Sequence, residues 1–116
     1  APVLEAQRAG RDILFDIDVQ GAAQLHLSLP SAHFVFILPP SMEELEKRLR
    51  GRGTDTDEVI RVRLADARQE IREARWFDSL ILNDDLDRAY QDLRAAYLQA
   101  TLAPKLHTAL LDSLLF

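Results

Sequence analysis

Apolar positions along the chain follow two rhythms. Three short runs are apolar without a break or nearly so: Ile13-Leu14-Phe15-Asp16-Ile17, Phe34-Val35-Phe36-Ile37-Leu38 and Leu80-Ile81-Leu82. Each is too short for a helix and greasy on both faces, which predicts buried strands of a parallel sheet. Pro39-Pro40 stops the second run and Asn83 stops the third. Between the runs the apolar residues recur every three or four positions. Residues 21–29 carry Ala22, Leu25 and Leu29 on one side. Ser41 with Glu44 three positions on forms a capping box before Met42, Leu45 and Leu49. A longer stripe follows Asp57, through Ile60, Leu64, Ala67, Ile71 and Ala74. Another opens at Asp84 or Asp85, with Leu86, Ala89, Tyr90, Leu93, Ala96, Tyr97 and Ala100. The predicted order is strand-helix-strand-helix-helix-strand-helix, an α/β fold.

Residues 1–101 read as one domain and residues 102–116 as an apolar tail. Leu106, Leu110 and Leu114 are spaced for one more helix, and Leu111, Leu115 and Phe116 make it greasy on more than one side. Three readings of the tail stand side by side: it docks on the body, it joins copies into a homo-oligomer, or it is foreign sequence.

The chain has 116 residues, 47% of them hydrophobic and 28% charged, the balance of an ordinary globular domain. A net charge of −5 excludes bulk attraction to nucleic acid, so an anionic ligand has to be met by local cations. With no cysteine there are no disulfides or thiolate metal sites. No apolar run is long enough to cross a bilayer, and no signal peptide opens the chain. These features predict a cytoplasmic protein without a membrane partner. The chain starts at Ala1 rather than methionine, from which processing or truncation is expected.

In open parallel sheets, ligands bind beyond the carboxyl ends of the strands. Those ends carry Asp16, Asp18, Gln20 and Gly21 after the first run, and Asn83, Asp84 and Asp85 after the third. A carboxylate inside an apolar strand is costly unless paired or close to a metal. Asp16 is therefore a candidate for supporting Mg²⁺ through water, or else a cap for a neighbouring loop. Asp18 shares its face by period-two alternation, and its plain reading is the N-cap of the following helix. A second constellation runs from Lys47 through Arg48, Arg50 and Arg52 to Arg61 and Arg63, split by Gly51 and Gly53. Nine of the fourteen basic residues lie between positions 47 and 75. Arginine forks on a loop suit phosphate oxygens and the charge of phosphoryl transfer. The plain reading for Arg50, Arg61, Arg68, Arg72 and Arg75 is a solvated face paired with its own acids. His26, His33 and His107 show no metal spacing and read as surface or packing residues. Trp76-Phe77 reads as a core anchor.

Five strings in order resemble bacterial guanylate kinase: Asp16-Ile17-Asp18-Val19-Gln20-Gly21, Phe36-Ile37-Leu38-Pro39-Pro40-Ser41, Arg48-Leu49-Arg50-Gly51-Arg52-Gly53-Thr54, Arg63-Leu64 and Asn83-Asp84-Asp85-Leu86. The likeness runs to about residue 100; the tail beyond it does not look typical of the family. The resemblance implies a P-loop NTPase-like parallel sheet with flanking helices and a helical lid over about residues 51–63. It implies ATP as phosphoryl donor, GMP as acceptor and Mg²⁺ as cofactor. Residue by residue, it implies that Arg48, Arg52 and Arg63 close on the ATP phosphates and the transferred phosphoryl. It further implies that Asp18 contacts the guanine of GMP, that Asn83 lies near the ATP base, and that Asp16 supports Mg²⁺ indirectly. No protein nucleophile is then needed, because in-line transfer asks only for position and positive charge.

The departure from the family pattern is large. Gly10, Gly21, Gly51 and Gly53 are the only glycines, and none opens a G-x-x-x-x-G-K-[ST] loop. The N-terminal strand, the P-loop and most of the GMP-binding region are missing; residues 1–5 resemble the stretch just after that region. Without a phosphate cradle and its lysine, this chain alone is expected to be inactive. The competing readings are a non-catalytic guanylate-kinase-like module that binds protein partners, or a fragment that associates through bared surface. Such modules tend to lose the lid arginines, and all three are present here.

Overall fold

The computed structural model describes Glu5, Ala9, Gly10 and residues 12–116. The stretch likened above to the one just after the GMP-binding region, residues 1–5, lies outside the described residues except for Glu5.

Helix α1 spans Val19–Ser28, β1 Val35–Leu38, α2 Met42–Gly51 and α3 Asp57–Glu73. A 3₁₀ turn at Ala74–Trp76 leads into β2, Ser79–Leu82, and α4, Leu86–Thr101. The tail forms a 3₁₀ turn, Pro104–Leu106, and α5, Thr108–Leu115.

Side-chain caps set the helix starts. The Ser41 hydroxyl accepts the Glu44 amide at 3.0 Å, the Thr56 hydroxyl accepts that of Val59 at 3.3 Å, and the Asp85 carboxylate accepts that of Asp87 at 3.0 Å. Each supplies an acceptor to a first-turn N–H that the helix cannot satisfy itself. Glu43 and Glu44 open α2 while Arg48 and Arg50 close it, charges that complement the helix dipole at both ends. Gly53, at φ +66°, reverses the chain between α2 and α3 in a conformation that disfavours any side chain. The two helices then pack as a pair. Leu49, Ile60 and Leu64 are buried between them, with Met42 and Leu45 closing the cluster.

β1 and β2 pair in parallel with Val35 opposite Ser79 and Leu38 opposite Leu82. Both ends of the ladder are locked. At the start, the Phe34 amide donates to the Asp78 carboxylate at 2.7 Å and the Phe34 carbonyl accepts from Asp78 and Ser79. At the finish, the Asn83 amide donates to the Leu38 carbonyl at 2.7 Å. His33 and Ser79 add a side-chain bond of 2.7 Å. Phe34 is buried among Trp76, Phe77 and His26 in edge-on contacts, with ring centroids 5.2–6.2 Å apart. Trp76-Phe77 thus anchors this cluster, and His26 is a packing residue that ties α1 to it.

The first predicted strand is corrected. Residues 12–18 form neither helix nor strand and lie outside the sheet, which among the described residues has two strands. Ile13, Leu14, Phe15 and Ile17 are all exposed. A short apolar run becomes a strand only where an open edge accepts its backbone hydrogen bonds. Here a cavity of about 470 Å³, lined by Asp12, Ile13, Leu14, Val35, Ala96 and Tyr97 among others, separates the run from β1. Asp12 instead accepts the Tyr97 hydroxyl on α4, and that contact raises the phenol's pKa above its ordinary value.

The tail joins α4 through His107, whose Nε2 lies 2.6 Å from the Thr101 carbonyl. No residue of α5 is buried.

Candidate functional site

Arg48 sits near the end of α2 with its guanidinium at the carboxyl end of β2. Both terminal nitrogens lie 3.4 Å from the Asn83 carbonyl oxygen, and Nε lies 3.4 Å from Glu44 Oε1. Arg48 and Asn83, two of the sequence candidates, are therefore brought together at the sheet rim where ligands of open α/β folds bind. Asn83 reaches that contact through its backbone, which is already fixed by its bond to Leu38.

Arg52 caps the C-terminal end of α2 and is exposed, without an ion pair among the described residues. Arg63, on the second turn of α3, pairs through Nε with Asp55 Oδ2 at 3.5 Å. The two residues thus flank the α2–α3 turn. Arg50 is handled differently. Its Nε faces Glu46 Oε2 at 3.5 Å and NH1 lies 2.5 Å from Asp57 Oδ1, so acids occupy both edges of its guanidinium. The hydrogen bond to Asp57 raises its pKa further above an already high value. This agrees with the plain reading of Arg50 as a residue paired with its own helix acids.

The two rim acids do not stand on a strand, since residues 12–18 are outside the sheet. Asp18 is the N-cap of α1, its Oδ1 accepting the Gly21 amide at 2.7 Å. A Cβ added at Gly21 would lie 3.0 Å from that oxygen, so glycine keeps room for the cap. The same carboxylate lines a cleft of about 390 Å³ between α1 and α3, together with Gln20, Gln69, Glu70 and Glu73. That lining accepts hydrogen bonds and repels anions. Asp16 is exposed and has no hydrogen-bond partner among the described residues. Among those residues, no three potential ligand side chains gather around a common point that could hold a metal ion.

Glu44 reads in the sequence both as half of a capping box and as one of the acids available to the basic helix face, and its spacing of four from Arg48 suits that ion pair. One residue that bears on the site carries no mark in the sequence. Asp55 carries no local signal for its contact with Arg63, which lies eight positions on.

No helix of the described residues is long and apolar enough to cross a membrane. Comparison with known proteins gives a consistent answer. The guanylate kinase family model matches residues 1–100. A guanylate kinase of Lawsonia intracellularis is 57% identical over 115 residues, 99% of this chain and 54% of that protein. Those of Nitratidesulfovibrio vulgaris and Oleidesulfovibrio alaskensis are 62% and 61% identical over 106 residues, 91% of this chain and 51% and 52% of theirs. The Lawsonia match runs into the tail, so most of that sequence has a counterpart in a relative. The chain spans about half the length of these relatives and corresponds to their C-terminal part. Matched by the family model over residues 1–100 and by these relatives over nearly its whole length, the chain belongs to the guanylate kinase family.

Proposed function

We propose that this chain supplies the phosphate-closing and base-contacting part of an ATP:GMP phosphotransferase working in the cytoplasm. The observation that carries the reading is the Arg48 guanidinium at the carboxyl end of β2, beside the Asn83 carbonyl. In this reading Arg48, Arg52 and Arg63 converge on the ATP phosphates and the phosphoryl in flight, where fixed positive charge offsets the charge spread over the equatorial oxygens. Arg52 and Arg63 flank the glycine turn, and a lid over about residues 51–63 carries them down and excludes water. Asn83 lies beside the ATP base.

Asp18 accepts from guanine. That base presents N–H donors on one edge, and the acceptor-rich cleft between α1 and α3 suits donors rather than anions. Its capping bond to Gly21 is compatible with this role, because a carboxylate has two oxygens and several acceptor sites. Asp16 is an exposed hard-oxygen donor, and among the described residues no group of three potential ligands forms, which suits an Mg²⁺ held chiefly by water and substrate phosphates. When bound, that ion neutralises phosphate charge. GMP attacks the γ-phosphorus of ATP directly, and no side chain is phosphorylated.

The test is a coupled assay for ADP release with ATP, GMP and Mg²⁺. The 116-residue chain is expected to show no turnover. The same chain joined behind the N-terminal half of the Lawsonia guanylate kinase is expected to turn over. In that chimaera, Arg52→Ala should lower kcat far more than it changes GMP affinity; an effect confined to GMP affinity would contradict the role given to Arg52.

A further inference from the structure

Five arginines, Arg48, Arg50, Arg52, Arg61 and Arg63, flank the α2–α3 turn, and two of them, Arg48 and Arg63, are held in one particular way. Arg48 is engaged at Nε by Glu44, and Arg63 at Nε by Asp55. In both cases the NH1/NH2 edge is left without a carboxylate. Arg63 makes no contact there among the described residues. Arg48 places both terminal nitrogens 3.4 Å from the single Asn83 carbonyl oxygen, as long as its own ion pair with Glu44 at 3.4 Å and that of Arg63 with Asp55 at 3.5 Å. That edge is the one that forks onto two oxygens of a phosphate. Arg50 shows the opposite arrangement, with an acid on each edge.

The two acids are themselves anchored. Glu44 is fixed by the bond from its amide to the Ser41 cap. Asp55 immediately precedes the Thr56 cap of α3, and its side chain is only 16% exposed. Helix propensity explains Glu44–Arg48, an i,i+4 pair, but not Asp55–Arg63, which bridges from outside the helix to its second turn. What the pairs share is the orientation they impose on a long side chain that otherwise samples many rotamers.

We propose that Glu44 and Asp55 are positioning residues, each holding one arginine on its Nε side so that its two terminal nitrogens face no carboxylate and can fork onto phosphate oxygens, Arg48 exchanging the Asn83 carbonyl for phosphate. This inference rests on the phosphate-binding reading of Arg48 and Arg63, and the experiment separates the two.

The 116-residue chain, ¹⁵N-labelled at arginine, is titrated with inorganic tripolyphosphate while the side-chain Nε–H resonances are followed by NMR. In the wild type, the signals of Arg48 and Arg63 are expected to shift and that of Arg50 to stay. Glu44→Ala and Asp55→Ala are each expected to weaken binding about fivefold, the scale of re-immobilising one long side chain. Glu44→Gln and Asp55→Asn keep an acceptor oxygen and should restore most of the loss. Plain electrostatics predicts the reverse sign, because removing an acid beside an anion site tightens binding. Alanine variants that bind as tightly as the wild type, or tighter, overturn the positioning roles and leave the phosphate reading intact. A wild type in which neither Arg48 nor Arg63 responds overturns both. Circular dichroism of each variant establishes that an affinity change is not a loss of helix.

Discussion

Leu49, Ile60 and Leu64, where α2 meets α3, are 3–7% exposed, whereas Ile13, Leu14, Phe15 and Ile17 are 40–89% exposed. Both regions are rich in large apolar side chains, so composition does not separate them. The difference is where each finds its partner. The helical pair covers itself, because two stripes joined by a short glycine turn face each other at once. An extended run has no such recourse, since its backbone needs a neighbouring edge before its side chains can be buried. The whole chain shows the consequence. Its surface is 9185 Å², against roughly 6,400 Å² for a compact monomer of this mass. Its radius of gyration is 17.8 Å, against roughly 13 Å for a compact chain of this length.

Truncating one side chain in each region tests the contrast most directly. Leu64→Ala is expected to cost about 2–5 kcal/mol in urea unfolding, and Ile13→Ala less than about 0.5 kcal/mol. Equal losses would mean that residues 12–18 are packed in solution. A smaller effect is expected at the helix caps. Ser41→Ala and Asp18→Ala each remove one amide acceptor, worth about 1 kcal/mol. Because α2 belongs to the packed pair, the first should lower the global midpoint. The second should show as faster amide exchange confined to α1, and a global loss from it would place α1 in the same cooperative unit as the pair. The smallest effect concerns the Asp12–Tyr97 contact. Asp12 favours the neutral phenol, so the folded pKa lies above the unfolded one. The contact's stabilisation is thus complete below the unfolded tyrosine pKa and is lost as pH rises through the folded one. In absorbance titrations, Asp12→Ala should move the ionisation of Tyr97 to lower pH; an unchanged curve would show that residue 12 does not hold the phenol.

What was legible in the sequence follows the same division. The start of α2 could be read from Ser41 and Glu44, and the buried stripe of α3 from Ile60 and Leu64, because caps and periodicity are local. Residues 13–17 misled as a strand because strand character depends on an edge elsewhere in the molecule. The Arg48–Asn83 contact spans 35 positions and no spacing rule reveals it, although both residues were marked by their likeness to a family. Asp18 was legible as a cap from its place before a helix. Its place on a cleft with Glu70 and Glu73 depends on how α3 crosses α1, which sequence does not display.

The ladder between β1 and β2 has a kinetic corollary. The Phe34 amide meets the Asp78 carboxylate across 44 positions. Closing so long a loop of loose chain is slow, and no contact repays its entropy until the ends have met. Most of the intervening residues belong to α2 and α3, whose zipping shortens the distance to be searched. Folding is therefore expected to run from helices to strands. Substitutions at Leu49 and Ile60 should slow refolding, while Asp78→Ala should chiefly hasten unfolding, and the reverse pattern would show that the strands meet first.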